Sequence, residues 1–554
     1  MKEKRIPVLI AAVLIVLILA AAAAWEVAKR YIPSKEPADL GQVLGVSGEE
    51  TAIFLNETLS ETRGITRDGQ VYLPVDWVNK NLNEKFYWDD VEKLLVYTLP
   101  DTIVYADKRT MGSTGLPLIL AEGDKVYLSM GLISNYTAVE FLSYADEGQP
   151  RRVYLDNRWE ARQIGTVRHK TAVRVEENIK SPVLTWLEKG DGMVVVSQSE
   201  LWTQVRTGNG YTGYVRNKDI LGTESVENPC TMELPEYTSI SMDEKVCLVW
   251  HQVTHEDAND AMEELLANTK GVNVIAPTWF ALTDNKGSYH SYASREYVDK
   301  AHEMGLQVWA ALDNFNMGEN VNSEVLFART SVRKALIAKL MADVKRYDLD
   351  GINLDIESIK PEAGPHYVQF IREMSVSCRN QGVILSVDNY VPAGYNVFYN
   401  RAEQGRVADY VIIMGYDEHF AGGEAGPVAS YPFVKEGIEN TLKLVPREKV
   451  INAVPFYTRI WTEKDDKTTS SALGLVGAAR WVEENNVSLY WQEEMGQYYG
   501  ELETQEGLKR IWLEDATSLE LKMELINQYD LAGVACWKLG FEPSNIWNVI
   551  KVNK

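Results

Sequence analysis

The sequence is poor in cysteine and histidine, with four cysteines and seven histidines in 554 residues. It contains no C-x-x-C pair and no Cys/His cluster of zinc spacing, which excludes a disulfide scaffold and a structural zinc site as the basis of the fold. Cys247 and Cys536 fall in the first and last strands of the domain predicted below. We expect both to be buried free thiols, so the core does not depend on cross-links or metals.

Basic residues are also in deficit, with 56 Lys and Arg against 79 Asp and Glu and a formal net charge of -23. Such an excess of negative charge disfavours nucleic acid and other polyanions as partners. At 45% hydrophobic and 24% charged residues the chain is globular and long enough for several domains. The acidity therefore indicates a well-solvated surface.

One long apolar run is present, from Ile6 to Trp25, directly after Lys2, Lys4 and Arg5. As a helix it would be about 30 Å long, which matches the apolar thickness of a bilayer. Positive residues before the run favour a transmembrane anchor with the rest of the chain outside the cell. The alternative is secretion after cleavage of a signal peptide, favoured by the alanines at 20–24.

Two short segments with the same pattern follow, Asp68–Pro74 and Glu122–Leu128, each a turn signal leading into alternating strand residues and a short helical stretch. They resemble the small repeat domain at the N-terminus of copper amine oxidases. Leu201–Val205 with Gly213–Val215 resembles the closing half of a bacterial SH3-type barrel. The predicted order is a cytoplasmic tip and anchor (1–30), a linker (31–45), the repeat domain (46–156), the SH3-like domain (160–223), a second linker (224–240) and a C-terminal domain (241–554).

In the C-terminal domain, apolar strands alternate with amphipathic helices. Eight such strands predict a (β/α)8 barrel, so the fold class is α/β with small all-β and α+β domains before it. An open doubly wound sheet is the alternative, but no G-x-G-x-x-G follows a strand. The predicted strands are 246–250, 272–277, 307–311, 352–356, 383–387, 410–414, 450–454 and 533–537.

The fourth strand carries a polar stripe in the octet Asp350–Glu357, D-G-I-N-L-D-I-E. Side chains alternate faces along a strand, so Asn353, Asp355 and Glu357 lie on one side and the isoleucines and leucine on the other. An edge strand with a solvated face would explain this pattern, but a strand covered by helices would not tolerate it unless chemistry used it. The octet is therefore the first candidate for a catalytic site.

Polar and aromatic residues also follow the later strands. Because the carboxyl ends of barrel strands meet at one mouth, these residues should surround Glu357, as in a sugar-binding site. They are Asp388 and Asn389 after the fifth strand, Tyr416 and Asp417 after the sixth, Tyr457 and Arg459 after the seventh, and Trp537 at the eighth. Packing beneath an insertion near 458–512 is the alternative for Tyr457 and Arg459.

The octet resembles the D-G-x-D-x-D-x-E signature of glycoside hydrolase family 18, the chitinases and related N-acetylglucosaminidases. Three further segments resemble motifs of that family in the same order: Met414–Asp417, Pro455–Trp461 and Gly533–Gly540. Asn353 replaces the usual middle aspartate, and Ile356 replaces a common tryptophan. These departures, with the segment 417–430, are more similar to the spore-cortex and germination branch, which acts on peptidoglycan.

The resemblance implies a retaining hydrolase in which the 2-acetamido oxygen of the substrate acts as nucleophile, without metal or cofactor. Glu357 would be the general acid, Asp355 would orient the acetamide and stabilise the oxazolinium charge, and Tyr416 would donate to the attacking oxygen. Trp537 would stack under the sugar. The other predicted substrate-binding residues are Asn353, Asp417, Tyr457, Arg459 and Asn389.

The sequence therefore predicts a monomeric, membrane-tethered glycosidase that cleaves β-1,4 bonds after N-acetylglucosamine in peptidoglycan. Chitin or N-glycan oligosaccharides are alternative substrates, because both contain the 2-acetamido group. A carbohydrate-binding protein without turnover is a second alternative, which the presence of Glu357 disfavours. A mainly structural wall-linking protein is a third.

Overall fold

The computed structural model describes residues 5–315 and 321–552, and the chain divides into two units. The first contains Met1–Phe86 and Ala106–Leu234, and the second contains Tyr87–Tyr105 and Pro235–Lys554. The first unit contains the helix Arg5–Tyr31, which is exposed from Ile10 onward. Within the described residues, its segment Ile10–Tyr31 is the one stretch long and apolar enough to cross a membrane. Lys2 and Lys4, which belong to the predicted positive cluster, lie outside the described residues.

The two similar segments of the first unit each form a strand that runs into a helix, as predicted. Gln70–Pro74 leads into the helix Val75–Asn81, and Lys125–Ser129 leads into Met130–Tyr136. The two strands pair with each other, Leu73 opposite Leu128, as the second and third strands of one mixed seven-stranded sheet. The sheet order is Ile119–Glu122, Lys125–Ser129, Gln70–Pro74, Thr58–Arg67, Glu50–Leu55, Arg151–Asp156 and Glu140–Tyr144.

A second sheet of seven short antiparallel strands covers the SH3-like region. Its small core contains Val173, Val205 and Val215, all fully buried. In sheet order the strands are Val183–Leu187, Thr171–Arg174, Thr212–Arg216, Trp202–Thr207, Gly192–Gln198, Arg162–Val167 and Ile220–Val226. The unit also contains the short helix Leu40–Leu44 and the 3-10 turn Asn217–Asp219.

The second unit is a closed barrel of eight parallel strands, which confirms the predicted (β/α)8 fold. The sheet order is β2-β1-β8-β7-β6-β5-β4-β3, and pairing of β2 with β3 closes it. The strands are β1 (Val246–His251), β2 (Val274–Pro277), β3 (Gln307–Asp313), β4 (Gly351–Asp355), β5 (Ile384–Tyr390), β6 (Tyr410–Met414), β7 (Val450–Pro455) and β8 (Gly533–Trp537). A hairpin, Phe280–Leu282 with Tyr289–Ser291, extends the edge of β3.

Helices surround this barrel and supply its outer apolar layer. They are Met262–Leu266, Arg295–Glu303, Ser323–Ala328, Thr330–Tyr347, Gly364–Gln381, Arg401–Val407, Tyr431–Leu442 and Ala516–Gln528. Between β7 and β8 lies an insertion with the helix Leu475–Glu484 and a five-stranded antiparallel sheet. Its order is Lys467–Gly474, Tyr457–Lys464, Gly507–Leu513, Gln497–Thr504 and Leu489–Gln492.

Alternating side chains divide the barrel into an interior and an outer core, as the strand period requires. Leu248, Trp309 and Ile412 fill the interior, whereas Ile352 and Leu354 face the outer helices. Cys247 and Cys536 are buried free thiols in β1 and β8, as predicted.

Residues 87–105, which lie within the predicted repeat domain, belong to the barrel unit. They form a small sheet of Tyr87–Asp89, Leu94–Thr98 and Ile103–Ala106. The buried Asp89 accepts hydrogen bonds from the backbone N–H and the hydroxyl of Thr330, both at 2.6 Å. It thereby caps the helix Thr330–Tyr347, whose own preceding residue Arg329 makes no side-chain cap.

Candidate active site

The beginning of β4 shows why the octet starts with Asp-Gly. Asp350 accepts hydrogen bonds from the backbone N–H of Val308 at 2.8 Å and pairs with His302 Nε2 at 2.9 Å, which fastens β4 to β3. Gly351 lies against the Trp309 ring, and a Cβ there would come within 2.6 Å of its Cδ1. These two residues therefore have structural roles at the amino end of the strand, away from the mouth.

Asn353 lies fully buried inside the barrel, below the mouth. Its Oδ1 accepts a hydrogen bond from Trp250 Nε1 at 3.0 Å, and its Nδ2 donates to Ser386 Oγ at 3.0 Å and to Asp388 Oδ1 at 2.8 Å. The prediction that Asn353 binds substrate is not supported by this position, because its amide is used by protein groups. Its amide contacts Asp388 of β5 rather than Asp355 of its own strand.

Asp355 and Glu357 line the same cavity at the mouth, close enough for each carboxyl group to shift the pKa of the other. Burial and the nearby Asp388, Glu357 and Asp313 raise the pKa of Asp355 well above its usual value. Burial also raises the pKa of Glu357, against hydrogen bonds from Tyr390 and Asp355 that lower it. Asp355 Oδ1 is buried and accepts no hydrogen bond from the described residues. These pKa shifts favour protonated carboxyl groups, and Asp355 Oδ1 can accept a hydrogen bond from a ligand.

Glu357 lies two residues after the end of β4, and neighbouring side chains hold it in place. Asn314 donates from Nδ2 to the Glu357 carbonyl at 2.7 Å and accepts from the Glu357 N–H at 3.0 Å. Tyr390, the last residue of β5, donates its hydroxyl to Glu357 Oε2. Ser358 then has a positive φ of 53°, a backbone conformation uncommon outside glycine. These contacts fix the carboxyl group at the mouth.

Tyr416, Asp417 and Tyr457 form the wall contributed by β6 and β7. The Tyr457 hydroxyl donates to Asp417 Oδ1 at 2.6 Å, and the rings of Tyr416 and Tyr457 make an edge contact at 6.1 Å. Burial raises the pKa values of both tyrosines well above the ordinary value, so both hydroxyls stay protonated and can donate.

These side chains surround a cavity of about 470 Å³. Trp537 and Trp250 contribute aromatic surface and contact each other edge to face at 5.9 Å. The remaining polar lining includes Asp313 from β3 and Asp388 from β5. Of the predicted site residues, the cavity is lined by Asp355, Glu357, Tyr416, Asp417, Tyr457 and Trp537.

Besides Asn353, two predicted substrate-binding residues do not line the cavity. Asn389 faces the outer layer, where its Nδ2 donates to Gln404 Oε1 at 2.6 Å. It cannot face inward because Asp388 and Tyr390, its neighbours on β5, do so. Arg459 lies in the insertion sheet and donates to Ser470 Oγ at 3.1 Å, which agrees with the packing alternative.

Four functional candidates were not predicted as site residues: Asp313, Tyr390, Asn314 and Trp250. Asp313 ends β3, and burial raises its pKa to about 6. A polar residue at the carboxyl end of a predicted strand is the signal that could have identified Asp313 and Tyr390.

Comparison with known proteins agrees with this architecture. The profile of glycosyl hydrolases family 18 matches residues 248–542, and that of the bacterial SH3 domain matches residues 169–220. An uncharacterized glycosylase of Bacillus subtilis, YvbX, is 26% identical over 294 residues, covering 50% of this chain and 84% of that protein. The cortical fragment-lytic enzyme of Bacillus subtilis is 26% identical over 233 residues, covering 40% of this chain and 54% of the relative.

Solved structures share the fold. The spore cortex-lytic enzyme SleL of Bacillus cereus superposes with a TM-score of 0.51 at 19% identity, covering 61% of this chain and 79% of that chain. The match to the cortical fragment-lytic enzyme spans about half of that protein's length.

Proposed function

Because this chain belongs to glycosyl hydrolases family 18, we propose that it cleaves β-1,4 bonds after N-acetylglucosamine in peptidoglycan, with retention of configuration. The observation that carries the proposal is the pairing of Glu357 with Asp355 in one cavity, with Asp355 Oδ1 buried and unpartnered among the described residues. A buried acceptor without a donor is costly unless a ligand supplies one. The N–H of a 2-acetamido group is a donor that fits this position.

Glu357 acts as the general acid. The acetamide oxygen attacks C1, the glycosidic C–O bond breaks, and the Glu357 proton goes to the leaving oxygen. Glu357, now ionised, takes a proton from the water that attacks C1, which reopens the oxazolinium ring and restores the acetamide. Retention follows because C1 is inverted twice.

The other lining residues assist this sequence. Asp355 accepts the acetamide N–H and stabilises the positive oxazolinium, since an anion in a partly dry cavity interacts strongly with a developing cation. The Tyr416 hydroxyl donates to the attacking oxygen, and Trp537 stacks against the sugar ring. Asp417, held by Tyr457, accepts a hydrogen bond from a sugar hydroxyl.

Peptidoglycan is the proposed substrate because the matched relatives include enzymes named as lytic for spore-cortex fragments. We place the enzyme on the outer surface, tethered by the helix Arg5–Tyr31. Chitin remains the second candidate, because the chemistry of the cavity requires the 2-acetamido group and chitin supplies it.

Mass spectrometry of purified peptidoglycan after digestion tests the proposal. We expect products with a new reducing-end N-acetylglucosamine, and a loss of about 10²–10⁴-fold in rate for Glu357→Gln because that side chain cannot donate an acidic proton. The variant should still bind the glycan. A reducing-end muramic acid product, or equal rates for parent and Glu357→Gln, would contradict the assignment.

A further inference from the structure

Three carboxyl groups form a row across adjacent strands at the mouth of the barrel. Asp313 on β3 pairs in register with Asp355 on β4. Leu354 pairs with Val387 of β5, so the next residues along both strands place Asp355 beside Asp388. Neighbouring strands lie about 4.8 Å apart, and all three side chains line the cavity. The catalytic mechanism described above uses Asp355 alone among the three.

Asn353 gives one of these acids, Asp388, a hydrogen-bond donor. The Trp250 N–H donates to Asn353 Oδ1, so the Nδ2 group must point the other way, where it donates to Asp388 Oδ1 at 2.8 Å. Burial and the nearby Glu357 raise the pKa of Asp388 well above its usual value, and the hydrogen bond from Asn353 opposes this by stabilising the anion. Asp355 Oδ1 receives no such donor from the described residues.

Among the residues that the structure describes, none supplies a compensating cation to Asp388. The titratable groups that face it are Asp355 and Glu357 from β4 and its following loop, Tyr416 from the loop after β6, and Tyr367 from the helix Gly364–Gln381. Within residues 5–315 and 321–552, no Lys, Arg or His forms an ion pair with Asp388. Two adjacent carboxyl groups in such a site cannot both ionise without cost.

We propose that Asp388 is a positioning residue for the catalytic proton: its anion, held by Asn353, keeps a proton on the neighbouring Asp355–Glu357 pair. This inference rests on the proposed function and adds a role for a residue outside the recognised motif. It also explains why Asn353 can replace the usual middle aspartate of the signature: the negative charge that this replacement removes from β4 is supplied by Asp388 on β5.

The proposed step balances one proton. In the free enzyme Asp355 carries the proton and donates it toward Glu357. When the acetamide N–H of the substrate reaches Asp355, the proton moves from Asp355 to Glu357, which then transfers it to the glycosidic oxygen. Asp355 and Asp388 remain as the anions that face the oxazolinium.

The pH dependence of kcat/KM on a chromogenic chito-oligosaccharide tests the inference, with the full chain as Asp388→Asn. Removing a neighbouring negative charge lowers the pKa of the remaining pair, so the acid loses its proton earlier. We expect the basic limb of the profile to move to lower pH by about one unit. The amide oxygen introduced by this substitution can still accept from Asn353, so loss of folding is not expected.

A charge-exchange variant is the matched control. In the double variant Asn353→Asp, Asp388→Asn, the amide at position 388 donates the hydrogen bond and the carboxylate at position 353 accepts it. The negative charge is then on β4, so the basic limb of the pH profile should move back toward that of the parent. An unchanged limb in Asp388→Asn would overturn the inference. The inference would also be overturned if the basic limb moved in Asp388→Asn and did not move back in the charge-exchange variant.

Infrared difference spectroscopy separates this inference from the proposed function. The parent should show a protonated-carboxyl C=O band at neutral pH that weakens in Asp388→Asn. If this band behaves as expected but no N-acetylglucosamine glycoside is cleaved, the proposed function fails and the proton assignment stands. If the parent cleaves and neither band nor limb changes, the proton assignment fails.

Discussion

Replacing Tyr390 by Phe should move the basic limb of the pH–rate profile upward, opposite to the change expected for Asp388→Asn. The Tyr390 hydroxyl donates to Glu357 Oε2, a hydrogen bond that favours the ionised carboxylate and lowers its pKa. Without it, Glu357 keeps its proton to higher pH. The variant should therefore stay active at pH values where the parent has lost its acid.

The size of this shift follows from the strength of the lost bond. A hydrogen bond to a charged group contributes about 1.5–3 kcal/mol, and one pKa unit corresponds to about 1.4 kcal/mol. Glu357 is partly exposed, so solvent screening reduces the effect toward the lower end. We expect a shift of about one pH unit.

Measurement of kcat/KM against pH with a chromogenic chito-oligosaccharide gives the result directly. Tyr399→Phe is the matched control, because the Tyr399 ring contacts Tyr390 edge to face at 6.2 Å while its hydroxyl donates to the Ile356 carbonyl and not to Glu357. Its basic limb should coincide with that of the parent. A limb that stays in place or moves downward in Tyr390→Phe would refute the reasoning.

Other predictions concern stability and the mouth of the barrel. Gly351→Ala should lower the free energy of unfolding by about 1–3 kcal/mol, because the added Cβ would overlap the Trp309 ring. Thermal or denaturant unfolding measures this change, and unchanged stability would show that the ring can move. In the folded protein the pKa of Asp313 is raised from 3.8 to about 6. Its ionisation therefore lowers the free energy of unfolding as pH rises through about 6 and has no effect on that free energy below pH 3.8. Asp313→Asn should therefore be more stable than the parent by up to roughly 3 kcal/mol at pH 8 and nearly equal at pH 3, and equal stability at both pH values would contradict the pKa. Trp537→Ala should raise KM for the chito-oligosaccharide about tenfold or more through lost stacking, and an unchanged KM would remove it from the sugar site.

The barrel could be predicted because each strand is an apolar run with clear ends and its order along the chain determines its neighbours. Glu357 and Asp355 could be predicted for the same reason, since their alternation with Ile356 identifies the inward face. Local pattern does not determine the face of a side chain where a shift of one residue along the strand reverses it. Asp388 and Asn389 both follow apolar residues of β5, and only the structure shows that Asp388 points inward.

Contacts between distant parts of the chain could not be predicted from local pattern. Asp89 caps the helix Thr330–Tyr347, which begins 241 residues later, and the residue pattern of neither segment predicts this contact. The position of Arg459 in the insertion sheet depends likewise on which strand it pairs with. Such features follow from long-range packing, which local propensity does not encode.

The small sheet of residues 87–105 determines where a shortened enzyme can begin. Arg333 and Glu373 form a fully buried ion pair, and Tyr87 covers the guanidinium with its ring at 4.7 Å. A protein truncated at Pro235 would lose the Tyr87 ring and would expose the Arg333–Glu373 ion pair to water. The helix Thr330–Tyr347 would also lose its cap, the carboxylate of Asp89. A shortened form of the hydrolase should therefore retain Tyr87–Tyr105, on a separate peptide if necessary. Truncation at the second linker would remove this part of the barrel unit.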